Sequence, residues 1–448
     1  MNAEVRKAPS RRPAPASGPG PAGSGTPAAP RPGAPAFRPG PRRADDRRVA
    51  MLALVVAGSF LLAAAVAAAA RALGAEVVSP WLPLHLALTG GASTAIAGVM
   101  PFFVAALAAG NPAGARLRGS AVALVAVGAA LVSVRGIAPG AVLLPPLGGC
   151  VYLAGIALTA LAVRNSGRAG LMVRRPIVTV GYTLALLNVA IGAMIGTLAV
   201  AGWIPVLEHW DRLRPAHAWT NVIGFVSLVI VSTLLHFLPT VLGTRIVPRR
   251  TAVIAVLGIA MGSPIVVAGL ALGIASVAGR GAVLVLLGAA ATAVEAVHVH
   301  QARGRWTTEA AWHRMASVSL LAGVAWFVIG VTLATGLVLA NGATAAAWAS
   351  SVVVVPLAIG WIVQVLVGSW THLLPSIGPG GPPAHATQRA LLGRWATPRL
   401  VAFNGGAALL AIGWPTGSAG AATTGGVLVS FAIVSGVALA ARALRLGR

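Results

Sequence analysis

Two histidines near the starts of long hydrophobic stretches are the residues with the clearest potential for chemistry. His85 lies in the stretch 82–109, and His217 opens the stretch 217–243. A neutral imidazole is an axial ligand of b-type haem and a common ligand of copper. Asn221 follows His217 by one helical turn, where its amide can orient the ring. The pair predicts a haem or copper site; the alternative is two interfacial histidines bonded to water or backbone carbonyls.

A second pair of histidines occurs in a repeated context further along the chain. His236 and His372 each precede a proline by three residues, Pro239 and Pro375. His236 is nineteen residues after His217, or about 28 Å along a helix, so one metal cannot bind both. His236 and His372 therefore predict either a separate metal site or a structural role, in which each imidazole meets a carbonyl freed by the proline.

The composition identifies the solvent that surrounds these residues. The 448 residues are 57% hydrophobic and only 9% charged, which is too little charge for the surface of a soluble protein. Hydrophobic runs of about 20 residues are long enough to cross a bilayer. The formal net charge of +25 does not indicate nucleic-acid binding, because the arginines lie in the basic N-terminal tail or between hydrophobic runs.

The hydrophobic runs predict an all-α integral membrane protein with about twelve transmembrane helices. Residues 1–48 form a Pro/Ala/Gly-rich basic tail that should be disordered, and residues 49–448 form the transmembrane domain. Arginines concentrate in alternate loops, which predicts that both termini are cytoplasmic. The predicted spans are 49–71, 82–109, 119–137, 140–163, 177–202, 217–243, 251–278, 281–301, 314–340, 345–374, 399–415 and 421–443.

Prolines recur at a nearly constant interval in this pattern of spans. Pro101, Pro239 and Pro375 lie near the inner ends of spans 2, 6 and 10, at intervals of 138 and 136 residues. Each interval contains four predicted spans. An even number of helices keeps the copies parallel. The spacing therefore predicts three four-helix repeats.

Twelve spans in three four-helix arcs resemble subunit I of the haem–copper oxidases and the related NnrS family. The stretches 217–221, 238–245 and 394–399 also resemble the membrane half of actinobacterial proteins related to copper nitrite reductases and multicopper oxidases. The resemblance implies that spans 2, 6 and 10 carry the cofactor ligands, which here are His85, His217 with His236, and His372. The usual oxidase copper centre is not expected, because residues 251–278 and 345–361 contain no histidine.

These observations leave three functions open for a multi-pass protein of a bacterial plasma membrane. The first is haem- or copper-linked redox chemistry, or nitrogen-oxide or copper handling, with a redox partner in the periplasm or outside the cell. The second is a permease for a small or apolar solute. The third is a non-catalytic membrane anchor for a redox partner. No nucleic-acid partner is expected, and the bilayer is the certain environment.

Overall fold

The computed structural model describes residues 41–168, 176–304, 311–343 and 351–446, so most of the predicted tail lies outside the described residues. The described residues form helices and contain no strand. Eleven of these helices are long and apolar enough to cross a bilayer. The protein is therefore an all-α integral membrane protein, in which each helix satisfies its backbone polar groups within one segment.

The long helices follow one another with short connections. They are α1 Pro41–Ala72, α2 Leu82–Leu107, α3 Ala115–Gly136, α4 Leu144–Arg168, α5 Pro176–Val200, α6 Trp210–Val241, α7 Arg250–Leu272, α8 Ala275–Gln301, α9 Ala311–Asn341, α10 Ser351–Ile377, α11 Ala396–Thr416 and α12 Ala419–Arg445. A shorter helix, Pro382–Leu392, connects α10 to α11.

Of these twelve helices, α11 is the one that is not among the eleven long and apolar enough to cross a bilayer. It has 21 residues, a length of about 31 Å, but Arg399 and Asn404 lie within it and reduce its hydropathy. It packs closely on α12, where a Cβ on Gly406 would lie 2.8 Å from the carbonyl oxygen of Gly425. The total of twelve membrane crossings therefore stays a prediction.

Several helix boundaries differ from the predicted ones. The first helix begins at Pro41 rather than at residue 49, and α6 begins at Trp210 rather than at 217. Helix α7 ends at Leu272, where Gly273 adopts a φ of +72°. Helix α8 begins at Ala275, so Arg280, predicted to lie in a loop, belongs to the second turn of α8. A long arginine side chain can extend toward the interface from within a span, which is why charge alone misplaced this boundary.

Successive helices run in opposite directions, so the even-numbered helices all begin on the same side of the protein. We call this side the arginine-poor side, because within the described residues it carries only Arg71, Arg135, Arg212, Arg214 and Arg280. The opposite side, called the arginine-rich side, carries the arginines at the other helix ends. His85 and His217, near the starts of α2 and α6, both lie toward the arginine-poor side.

Helices α2, α6 and α10 form the interior of the protein. The buried share of their most apolar segments is 67%, 89% and 56%, against 28% in α1 and 22% in α12. Each of the three contains one proline within its second half: Pro101, Pro239 and Pro375. The helices that the prolines identified as equivalent are thus also the central ones.

The central helices share a second feature that the sequence did not predict. Each changes from α-helical to π-helical hydrogen bonding over one short segment, at Leu86–Ala92, Thr220–Ser227 and Val355–Val363. Such segments widen a helix and often occur at functional sites. The recurrence of the same irregularity in α2, α6 and α10 supports the threefold internal repeat.

Serines at the ends of two π-helical segments connect them to neighbouring helices. The hydroxyl of Ser93 donates to the carbonyl of Leu88, and that of Ser227 donates to Val222, each five residues earlier. Each serine oxygen also accepts a hydrogen bond from an aromatic side chain, at 2.8 Å and 3.0 Å respectively; the donors are the Tyr152 hydroxyl and the Trp361 indole N–H. The widened turns are therefore held by packing partners on other helices.

Trp361 is the largest fully buried side chain, and it stacks on Phe327 with the ring centroids 4.6 Å apart. We expect Trp361→Ala to destabilise the protein by about 3–5 kcal/mol, because it creates a cavity and removes the bond to Ser227. The measurement is the midpoint of thermal unfolding in detergent, followed by circular dichroism. Trp414, which is 53% exposed, is the control, and Trp414→Ala should change the midpoint little. Equal midpoints for the two variants would contradict this account of the interior.

Candidate metal centre

His85 is held at the junction between the first turn of α2 and its π-helical segment. Its Nδ1 lies 3.2 Å from the carbonyl oxygen of Trp81. Because a carbonyl only accepts, Nδ1 carries the proton and Nε2 keeps its lone pair. The Trp81 ring also meets the imidazole edge-on, with the centroids 4.5 Å apart and the planes at 80°. The preceding turn therefore orients the ring, and in the neutral imidazole that a metal ligand requires Nε2 is the nitrogen left to bind.

His217 is held in the same protonation pattern by a different helix. Its Nδ1 donates to the carbonyl oxygen of Gly192 in α5 over 2.7 Å, which leaves Nε2 available as a ligand. The Asn221 amide donates to the His217 carbonyl at 2.7 Å and lies 3.3 Å from Nδ1. Asn221 thus contacts the ring, as expected, but the backbone of Gly192 is the closer partner. This partner of His217 could not be predicted from the sequence, because a backbone carbonyl on another helix has no sequence pattern.

The two histidines, far apart in the sequence, lie side by side in the fold. Their ring centroids are 6.1 Å apart and their planes differ by only 10°. This separation is compatible with a metal that both imidazoles would hold through Nε2. Direct ring packing also allows this separation. Ligation of a metal through Nε2 would also explain why the Nδ1 atoms of both histidines are hydrogen-bonded to backbone carbonyls.

Two glycines of α5 make room for this arrangement. A Cβ on Gly196 would lie 2.8 Å from Cε1 of His217, and a Cβ on Gly192 would lie 2.4 Å from the Asn221 amide nitrogen. Both distances are shorter than any ordinary contact of a Cβ. The spacing of four residues puts both glycines on one face of α5. In the sequence these glycines were indistinguishable from the many others that serve helix packing.

Two tryptophans near the starts of α2 and α6 also border the site. Trp81 contacts His85, and Trp210 lies 6.4 Å from His217 between ring centroids, at an angle of 45°. Both indoles are half-buried. Tryptophan is enriched at the membrane interface, which agrees with their positions near helix starts. Their ring contacts also place both indoles beside the histidine pair.

The second predicted pair has a different environment near the arginine-rich side. His236 is buried against the edge of Phe103, with the centroids 5.2 Å apart. His372 stacks on Trp312 at 5.1 Å and meets the edge of Phe237 at 5.6 Å. Aromatic rings thus surround both imidazoles. Aromatic packing differs from the predicted contact with a carbonyl freed by the proline, and both the structural role and the metal site stay predictions.

The donor set at His85 and His217 limits the kind of metal that fits. Within the described residues, no group of three or more His, Cys, Asp or Glu side chains could hold a metal ion. Glu295, a buried carboxylate of α8, accepts a hydrogen bond from Thr251 and pairs with Arg249, whose Nη1 lies 3.5 Å from Oε2. Haem iron needs only two protein ligands because the macrocycle supplies four nitrogens, so two imidazoles are a complete protein set for haem.

Comparison with known proteins supports the fold. No family model matches the chain, and no curated protein matches its sequence. Among solved structures, the chain is similar to a haem–copper terminal oxidase, determined as a dimer by cryo-electron microscopy. The identity is 14% and the TM-score is 0.61, over 90% of this chain and 83% of that chain. Identity this low shows the fold alone: the chain has a haem–copper-oxidase-like membrane fold, and the likeness to NnrS and to the actinobacterial proteins stays a prediction.

Proposed function

We propose that this chain is a membrane redox protein that binds one b-type haem between His85 and His217. The observation that carries the proposal is the pair of parallel imidazoles 6.1 Å apart, each with Nδ1 against a backbone carbonyl. A bound haem would supply a one-electron Fe(III)/Fe(II) couple. The chain's contribution is to present two neutral imidazoles in a fixed tautomer, which matches the general design of protein ligands to metals.

The surroundings of the site support a role in electron transfer rather than in oxygen reduction. Residues 251–278 contain no histidine, so the copper ligands that the oxidases place there are missing from this sequence. The half-buried rings of Trp81 and Trp210 border the two ligands on the arginine-poor side. Under the positive-inside rule this side faces away from the cytoplasm. The proposed partner is therefore a redox protein outside the plasma membrane of a bacterium.

Substitution of the histidines tests the assignment. We expect His85→Ala and His217→Ala each to lower the haem content of the purified protein by about tenfold or more, because one axial ligand is lost. His372→Ala is the control, since His372 packs on Trp312 at the other side of the protein. Haem is measured from oxidised and dithionite-reduced spectra, and copper by elemental analysis. Equal haem in all three variants would overturn the assignment, and stoichiometric copper without haem would replace haem by copper.

The glycines of α5 provide a test that leaves both ligands in place. Gly196→Ala should displace the His217 ring, because the new Cβ would lie 2.8 Å from Cε1. We expect haem retention to fall about 10-fold or more, as it does when an outer partner of a metal ligand is lost. Gly426→Ala is the matched control, since a Cβ at Gly426 meets no heavy atom within 4 Å. A Gly196→Ala protein with the wild-type spectrum and haem content would contradict the proposed position of His217.

A further inference from the structure

A groove lies on the surface of the described part of the chain, between helices other than those that carry the histidine pair. Its volume is about 660 Å³, within the range of about 300–1,000 Å³ of small-molecule sites. It lies between the start of α8 and the end of α9. Val283 and Leu284 of α8 face Val338 and Leu339 of α9 across it. Apolar walls of this kind suit a hydrocarbon chain.

Arg280 makes this groove different from an ordinary gap between helices. It lines the groove from the second turn of α8, five residues or about 7 Å below the helix start. The side chain is exposed and forms no ion pair within the described residues, where the two ion pairs are Asp211–Arg212 and Glu295–Arg249. A cation inside a membrane span is costly and normally has a partner. The described residues supply no such partner, so the exposed guanidinium is free to bind an anionic group at the membrane surface.

Two neighbours of Arg280 complete the site. Ser276 lies one helical turn before it on the same face of α8 and also lines the groove, so its hydroxyl can donate alongside the guanidinium. Gly279 leaves the groove open: a Cβ there would lie only 3.1 Å from Cδ2 of Leu339. The groove thus has a polar end near the membrane surface and an apolar end deeper in the leaflet.

We propose that this groove binds a glycerophospholipid of the surrounding leaflet. Arg280 and Ser276 bind the phosphodiester, and one acyl chain lies between α8 and α9. Charge complementarity selects the head group, because arginine forms strong, paired hydrogen bonds with phosphate. The position of Arg280 favours a lipid over a soluble anion, because the guanidinium lies beside an apolar groove between two helices, where a phosphate and a hydrocarbon chain can be bound together. The inference is independent of the proposed haem.

Native mass spectrometry of the full chain in detergent, titrated with phosphatidylglycerol, tests the proposal. Arg280→Gln should weaken retention of the tightest-bound lipid about fivefold to tenfold, whereas Arg135→Gln, also on the arginine-poor side, should not. Val283→Trp should fill the groove and reduce retention, whereas Val294→Trp should not. Val294 is the matched control because it is exposed on the same helix, 43% against 42% for Val283, and lies outside the groove.

Two further ligands, glycerol 3-phosphate and diacylglycerol, test whether the groove binds a whole phospholipid or only one part of it. Glycerol 3-phosphate should leave the unfolding temperature of the wild-type protein unchanged, and diacylglycerol should bind more weakly than phosphatidylglycerol. Stabilisation by glycerol 3-phosphate that is lost in Arg280→Gln would assign the site to a soluble phosphate and overturn the lipid proposal. Wild-type lipid retention in both Arg280→Gln and Val283→Trp would also overturn it.

Discussion

The close approach of helix backbones through glycine is the constraint on which the rest of the structure depends. In a bilayer the hydrophobic effect does not drive helices together, so van der Waals contact between closely packed backbones must do so. In the α7–α8 pair a Cβ on Gly258 would lie 2.9 Å from Cα of Gly288, and in the α3–α4 pair a Cβ on Gly128 would lie 2.4 Å from the backbone nitrogen of Tyr152. The α3–α4 pair packs against α2, and the α7–α8 pair packs against α6.

The same principle operates at the candidate metal centre, with a different result. Gly192 and Gly196 admit polar side chains of α6, Asn221 and His217, where glycines elsewhere admit another backbone. The Gly192 carbonyl then binds His217 directly. A glycine face on α5 therefore serves both packing and ligand orientation. This dual use explains how an apolar interior can hold an imidazole in one tautomer without a carboxylate beside it.

The π-helical segments connect the internal repeat to the site. In α2 the segment begins directly after His85, and in α6 it begins three residues after His217. A widened turn changes the direction in which the following side chains point. In α10 the segment begins with Val355 and Pro356 and has no histidine beside it. The three central helices thus share one backbone irregularity, but in the described residues only the first two have a histidine beside it.

The hydrophobic composition, the arginine distribution and the recurring prolines were sufficient to predict a helical membrane protein with three equivalent central helices. They were sufficient because the bilayer makes length, apolarity and charge placement obligatory in each segment separately. The same local signals misplaced Arg280, because an exposed arginine looks the same in a loop and in the first turns of a span. They favoured a structural pair at His236 and His372 over a metal site but did not decide between the two.

Only the tertiary structure decided which histidines lie together. His85 and His217 are 132 residues apart in the sequence, and their 6.1 Å separation results from the packing of α2 on α6. The Gly192 carbonyl, the glycine face of α5 and the adjacent indoles of Trp81 and Trp210 likewise belong to no local pattern. The sequence is sufficient to predict each helix, because every membrane span must be long enough and apolar enough by itself. The site depends on contacts between elements, which no single segment encodes.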